Sequence, residues 1–538
     1  MTGSIGKPVR RIEGRAKVLG KARFAAEYPV RGVVHAVPVL STIARGRVTG
    51  FDTREAEGSP GVLRVLTHLN APKLSKKGLS STLLITSIPA VGENWLPLQD
   101  DRVLHDRQIV AVVVADTLER AEHAAALVRV SYAPERAATD FQVDKARAFA
   151  FESRNAADYQ RGDPDAGLSR SAARIDATYS IPTQHHNPIE THATIAVWSG
   201  GKLTLYDKTQ SPVVARSQAA VAFGLPATSV RVLSAFVGGG FGGAGRTWPH
   251  VLSAAIAARV VDRPVKLSLS REQMYGSTGS RPLTEQRVRL GANPDGRLRS
   301  IIHDVTAQTS THEEYSEEVL DASRILYACA NVRTKYRLVG QNVPTPTFMR
   351  GPGHSSGVYA LESALDELAV QLKIDPVELR LRNYAEQDQA VNLPWSSKSL
   401  RQCYEQAGQK FGWSRRTPAV GSMKDGRLLM GQGMASAIYP AGRLPASARV
   451  KLLANGTAVV YSATSDMGPG SYTSMAQVAA DALGLPIDRV HTELGDTDFP
   501  YGPAQAGSWM MATLGPAVQA AAQEARQRAV ALAVADRR

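Results

Sequence analysis

The sequence predicts a multidomain α+β chain, and three observations carry that prediction. The chain has 538 residues, several times the usual domain of about 100–200 residues. Hydrophobic residues make up 43% of it, an ordinary globular share that allows sizeable cores. Apolar runs suited to buried strands alternate with alanine-rich segments at helical spacing, with glycine loops at several of the junctions.

Residues 1–133 read as a first α+β domain. Strands are expected at 32–40 and 61–67. The apolar run 109–115 suits a buried strand, 117–128 has alanine and leucine at helical spacing, and 128–132 resumes as a strand. A polar stretch over 133–164 reads as a linker or a surface-wrapping segment. The remainder carries an internal echo. QAAVAFGLPATSVRV at 218–232 and QVAADALGLPIDRV at 477–490 are both an alanine-rich helix, then Gly-Leu-Pro, then a strand. Gly224 or Gly484 ends the helix in the left-handed conformation, and the proline two residues on forbids its continuation. The expected division is a domain over 1–133, a linker over 134–160, and two related α+β domains over 161–395 and 396–538.

Composition excludes several classes. The net charge is +14, but the basic residues are dispersed and no nucleic-acid motif accompanies them, so they read as a solvated surface. One local basic cluster, Lys7, Arg10, Arg11, Arg15, Lys17, Lys21 and Arg23, suits an acidic partner or an anionic cofactor. Cys329 and Cys403 are too few for a four-thiolate iron–sulfur cluster or a thiolate zinc site. No apolar run is long enough to span a membrane, and the first residues show no apolar leader. A cytoplasmic chain is expected, with co-export alongside a partner subunit as the route to a periplasmic one.

The glycine loops carry the chemistry. Residues 238–245 hold six glycines in eight positions, between a strand and the alanine-rich helix after Pro249. Backbone N–H groups without Cβ neighbours, beside a helix start, make an anion cradle. The run also matches GxGxxG, with Asp262 nineteen residues after Gly243. That acid precedes the strand at 265–269 instead of ending it, so a dinucleotide-binding unit fails its structural test. A second loop, 465–473, lies between a strand at 458–463 and a helix at 474–483, with Ser471 and Thr473 as candidate N-caps. A third stretch, 505–508, precedes a further helix, expected at 516–535. The histidines of 184–192 lack metal-ligand spacing, and Asn187-Pro188 breaks the helix that would align them, so a structural role is expected. Arg350, beside Gly351-Pro352-Gly353, can fork onto a phosphate or an oxo group.

Several segments, in order, resemble one family. QHHNPIE at 184–190, VGGGFGG at 237–243, MRGPG at 349–353, YALESALDELA at 359–369, LRLRNYAE at 379–386 and GDTDFP at 495–500 are similar to the large, molybdenum-cofactor-binding subunit of the xanthine dehydrogenase/aldehyde oxidase family, in its aldehyde-type form. GKPVRRIEGRAKVLGKARF at 6–24 and LQDDRV at 98–103 resemble its N-terminal α/β hammerhead domain. The resemblance implies a hammerhead-like domain followed by two molybdopterin-binding domains, the second incomplete. It implies an oxidoreductase acting on an aldehyde or an N-heterocycle by attack of a molybdenum-bound hydroxyl and hydride transfer to a sulfido ligand. The metal is held by the pterin dithiolene and not by protein ligands. The cytosine dinucleotide form of the pterin is one expectation, and iron–sulfur and FAD chemistry are expected on partner subunits.

Carried over motif by motif, Gln210 lies near the apical oxo ligand, the Gly239, Gly240, Gly242 and Gly243 backbone borders the metal with Phe241 over it, and Arg350 borders the cofactor. Met467, Gly468, Gly470, Gln505, Gly507 and Ser508 hold the pterin and its phosphates, and Arg443 lines the substrate entrance. Three residues depart from the family pattern: Ala244 stands for the usual lysine, His354 for an acid, and Pro469 stiffens its loop. The family's glycine-flanked glutamate base falls beyond Arg538. The expectation is therefore a C-terminally truncated chain, inactive and poorly soluble alone, completed by a separate C-terminal polypeptide. The competing expectation is a catalytically silent chain acting only in cofactor or subunit binding.

Overall fold

A computed structural model describes residues 3–75, 93–151, 153 and 156–536. A seven-stranded sheet organises the first half. Its order is Val230–Leu233, Lys202–Asp207, Ala193–Ser199, Val265–Ser268, Val34–Leu40, Ile109–Ala115 and Val62–Thr67. Val34–Leu40 pairs parallel with Val265–Ser268 and antiparallel with Ile109–Ala115. The strands of the N-terminal region and those of the next domain thus form one continuous sheet, across the division expected at residue 133.

Ile109–Ala115 is buried along its whole length because both faces of the sheet are covered. Val112 and Val114 point into a core with the helix Pro249–Val261, whereas Val113 and Ala115 meet Ala121 and Ala124 of the helix Leu118–Leu127. Thr117 caps that second helix, its hydroxyl accepting from the Arg120 N–H. Pro249 and Pro212 each sit in the first turn of their helices, where no N–H is missed.

The second sheet has five strands, in the order Tyr159–Arg161, Val332–Gln341, Leu298–Ser310, Thr284–Ala292 and Ala173–Ile181. The helix His354–Leu372 packs on it through an apolar stripe at helical spacing, with Leu361, Leu365 and Leu368 buried and Val358 and Leu372 partly so. The polar stretch after residue 133 wraps this domain. Asp140 caps a short helix, Phe141–Asp144, Lys145 reaches Glu285, and Tyr159–Arg161 joins the sheet edge.

The echo is structural. Lys202–Asp207 and Val230–Leu233 are parallel strands linked by the helix Pro212–Phe223. Ala458–Ser462 and Val490–Leu494 are parallel strands linked by the helix Ser471–Leu483. Gly224 and Gly484 end the helices with φ of +65° and +73°, as expected. The segment 495–500 stitches the two units together: Arg231 Nε donates to Asp496 at 3.0 Å and the Val232 N–H to Thr497 Oγ1 at 2.9 Å.

Two helix starts differ from expectation. The helix expected at 474 begins at Ser471, with Gly470 as the residue before it at φ +96°. Ser471 and Thr473 are therefore inside its first turn rather than capping it. The helix expected at 516 begins at Met510 and carries Pro516 within it. Burial of Met510, Thr513 and Leu514 supports the extra turn, so packing overrides the proline as a start signal. No helix among the described residues is long and apolar enough to cross a membrane.

Candidate functional site

The three glycine-containing loops converge on one cavity of about 1230 Å³. Gln210, Gly240, Phe241, Gly242, Arg350, Met467, Gln505, Gly507 and Ser508 all line it. Gly239, Gly243, Gly468 and Gly470 belong to the same loops without lining the wall. Arg443 is exposed, and from its segment it is Tyr439 that reaches the cavity.

Gln210 holds the loops together. Its Nε2 donates to the Gln505 carbonyl at 2.8 Å, and its Oε1 accepts from the Gly242 N–H at 3.0 Å. Its backbone N–H donates to the Ala244 carbonyl at 2.8 Å, and its carbonyl accepts from the Gln505 N–H at 2.9 Å. Gln505 passes the linkage on: its Oε1 accepts from the Met467 N–H at 2.9 Å and its Nε2 donates to Ser471 Oγ at 2.6 Å. Two glutamines 295 residues apart thus fix the distance between the first and second halves of the site.

The glycines of 238–243 answer to their protein neighbours. A Cβ on Gly240 would collide with the Gln210 carboxamide, and one on Gly242, at φ +100°, with the Phe348 carbonyl. At Gly243 it would stand 2.8 Å from the His186 ring. Close packing against Gln210, Phe348 and His186 by itself demands glycine at 240, 242 and 243. The same packing explains the histidine segment. His186 bonds the Phe348 carbonyl at 2.7 Å, and burial lowers its pKa to about 4, so the ring is neutral. Glu190 accepts the Gly238 N–H at 2.6 Å. Phe241 itself lies in the left-handed region, at φ +53°, with 42% of its surface exposed. A non-glycine residue held there costs about 1–2 kcal/mol, and such strain gathers at functional sites.

The Arg350 turn is fixed from both sides. Its N–H donates to the Phe241 carbonyl at 2.9 Å, and Arg281 Nη2 donates to the Met349 and Arg350 carbonyls at 2.8 and 3.0 Å. The Gly353 N–H donates to Glu317 Oε2 at 2.9 Å, and Tyr315 OH to Glu317 Oε1 at 3.0 Å. Burial raises the Glu317 pKa to about 7. The sequence reading missed Glu317 and its neighbours Glu314 and Glu318 on the cavity wall. The available signal was the acid-rich EEYSEE at 313–318, running toward the Arg350 turn.

The basic N-terminal segment straps the second loop. Arg11 Nη1 donates to the Gly468 carbonyl at 2.6 Å, the Ile12 N–H to Thr473 Oγ1 at 3.0 Å, and Thr473 Oγ1 to Glu13 at 2.9 Å. Lys17 lies 3.5 Å from the buried Asp466 carboxylate. Part of the cluster expected to meet an acidic partner is thus engaged with the chain's own third domain.

A cavity walled by glycine loops, a turn-borne arginine and a strained aromatic has the size and lining to hold a cofactor. The comparisons with known proteins agree. Residues 19–136 match the aldehyde oxidase and xanthine dehydrogenase a/b hammerhead domain, and residues 149–384 and 406–537 match two molybdopterin cofactor-binding domains. The chain is 37% identical over 526 residues to the aldehyde oxidoreductase molybdenum-binding subunit PaoC of Escherichia coli O157:H7, covering 97% of this chain and 70% of that one. It is 29% identical to the xanthine dehydrogenase molybdenum-binding subunit of the same organism, covering 97% and 72%. Among solved structures, the aldehyde oxidoreductase of Desulfovibrio gigas superposes with a TM-score of 0.77 at 23% identity, over 96% of this chain and 59% of that one. Quinoline 2-oxidoreductase of Pseudomonas putida 86 superposes at 0.79, also at 23% identity, over 97% and 70%. The chain belongs to the aldehyde oxidoreductase/xanthine dehydrogenase family of molybdenum-binding subunits, whose members are oxidoreductases.

The residues present fit a molybdenum–pterin group. Arg350 lines the cavity and is exposed, with no hydrogen bond or ion pair from its guanidinium to another described residue, leaving the fork open to an anion. Gly468 has nothing within 4 Å of where its Cβ would stand. The cavity exceeds the roughly 300–1,000 Å³ of an ordinary small-molecule site, which suits a cofactor and a substrate side by side.

Proposed function

We propose that this chain is the molybdenum subunit of a hydroxylase that oxidises aldehydes, with N-heterocycles as the alternative substrate class. The convergence of Phe241, Arg350, Met467 and Gln505 on one cavity supports it most. Arg350 pairs with an anionic group of the cofactor. Met467, Gly468, Gly470, Gln505, Gly507 and Ser508 hold the pterin end, in the cytosine dinucleotide form. Gly239, Gly240, Gly242, Gly243 and Gln210 border the metal end. When bound, the group supplies a two-electron redox centre for hydroxylation of an electrophilic carbon.

The chain's own residues do the rest. Phe241 offers a ring face at the cavity mouth against which a planar substrate stacks. Glu317, protonated toward neutral pH, keeps the Arg350 turn in place through the Gly353 N–H. Tyr439 contributes to the cavity wall, and the exposed Arg443, four residues on, lines the substrate entrance. Electrons leave through partner subunits with iron–sulfur and FAD groups, since Cys329 is buried and Cys403 exposed, far short of a thiolate cluster. Metal and pterin analysis of the purified protein, together with aldehyde-dependent dye reduction by the assembled enzyme, tests the reading. One molybdenum per chain, cytidine monophosphate on acid hydrolysis and aldehyde turnover are expected. Protein from a cofactor-producing host that carries no molybdenum would overturn it.

A further inference from the structure

His354 opens the helix that follows the Arg350 turn, and its ring is a polar group without an obvious purpose. The residue is 4% exposed, and neither ring nitrogen has a hydrogen-bond partner. A buried polar group left unpaired costs about 1–3 kcal/mol. The ring is not surrounded by apolar groups alone. Its Nε2 stands 3.7 Å from a Glu318 carboxylate oxygen, and the Tyr439 ring meets it edge-on at 5.0 Å. Asp321 completes the group: one donor atom from each of Glu318, Asp321 and His354 lies within 4.8 Å of the other two.

We propose that Glu318, Asp321 and His354 form a divalent-metal site of the zinc class, separate from the molybdenum cofactor. One nitrogen and two carboxylates supply three protein ligands, the number found at an open zinc site. The imidazole disfavours magnesium and calcium, which take oxygen ligands. Two carboxylates balance the dication, and the metal fills the missing partnership of the His354 ring. Ligands about 2.0–2.2 Å from zinc draw the three donors closer than they stand here. Both carboxylates are only partly buried, so their side chains have room to move: Glu318 is 33% exposed and Asp321 36%. Arg324 lies 3.8 Å from Asp321, a loose contact that leaves coordination open. Of the three, Glu318 lines the large cavity. The ion ties the acidic loop to the start of the helix at His354, next to the Gly353 N–H that Glu317 accepts, and so braces the turn that carries Arg350.

The test uses the whole protein with its molybdenum content measured in parallel, so that loss of this site and loss of the cofactor are read separately. After chelator treatment, zinc is titrated calorimetrically and cobalt by its visible absorption. One equivalent of zinc binding at micromolar or tighter affinity is expected, with cobalt bands of a low-coordinate nitrogen–oxygen site. His354→Gln should weaken binding at least a hundredfold, and Asp321→Asn, at a partly exposed position with little folding risk, at least tenfold. Absence of a saturable one-to-one site in the wild type overturns the proposal. So does unchanged zinc affinity in either variant.

Discussion

At Gly240 a Cβ has no space, because the Gln210 carboxamide fills the position, whereas at Gly468 nothing lies within 4 Å. Both glycines sit in loops that wall the same cavity, yet one is demanded by packing and the other only by its backbone, at φ +115°. The first loop is built from inside, on His186, Glu190 and Phe348. The second is tied to Gln505 through Met467 and Ser471 and is strapped from outside by Arg11 and Lys17 of the N-terminal segment. Glycine-rich composition alone therefore does not distinguish a loop that is rigid before a ligand arrives from one whose open side waits for it.

The largest expected effect breaks the first loop. Gly240→Val should cut molybdenum content at least tenfold, and overpacking of this kind costs about 1–3 kcal/mol or more. Gln210 is the named obstacle, so adding Gln210→Ala to that variant should recover part of the lost melting temperature. A double variant no more stable than Gly240→Val alone would show that the clash lies elsewhere.

Next comes the support behind Arg350. The Glu317 pKa is raised from 4.5 to about 7, so the folded state holds a proton that the unfolded chain releases. Its contribution is complete below about pH 4.5 and is lost as the pH rises to about 7, a change of roughly 3 kcal/mol at most. Glu317→Gln should remove that decline, so the variant gains stability relative to wild type between pH 5 and 8. Parallel melting profiles across that range would refute the buried, protonated assignment.

Smaller effects sharpen the second loop. Arg11→Ala removes a charged hydrogen bond to the Gly468 carbonyl from a half-exposed side chain, worth about 1 kcal/mol after solvent discount. Its clearer signature should be faster cofactor loss on dilution, restored in part by Arg11→Lys. Gly468→Ala meets no neighbour and pays only for its positive-φ backbone, about 1–2 kcal/mol or slightly more at φ +115°. A collapse as large as that of Gly240→Val would erase the distinction between the loops.

The sequence carried what is local. Gly224 and Gly484 stop their helices as read, and Leu361, Leu365 and Leu368 form the core stripe that their spacing predicts. It also carried the ordered motifs of the family and nine of the residues on the cavity wall. It did not carry long-range pairing. Nothing in Val34–Leu40 announces a parallel partner at Val265–Ser268, so the shared sheet was invisible. The Gln210–Gln505 linkage was hidden for the same reason, and the strap escaped because a basic cluster holding Arg11 and Lys17 suits a separate acidic partner as well as it suits a loop of the same chain. Glu317 was missed because one glutamate among several in an acidic loop gives no sign of burial. The helix at Met510 was misread because Pro516 is a strong local start signal that buried side chains override.

The claim that the two loops enclose the cofactor is tested most directly by anomalous diffraction at the molybdenum edge, on crystals of protein purified from a cofactor-producing host. The account predicts a single molybdenum peak in the cavity walled by Phe241, Arg350 and Gln505. A peak outside that cavity, from crystals that contain molybdenum, would contradict it.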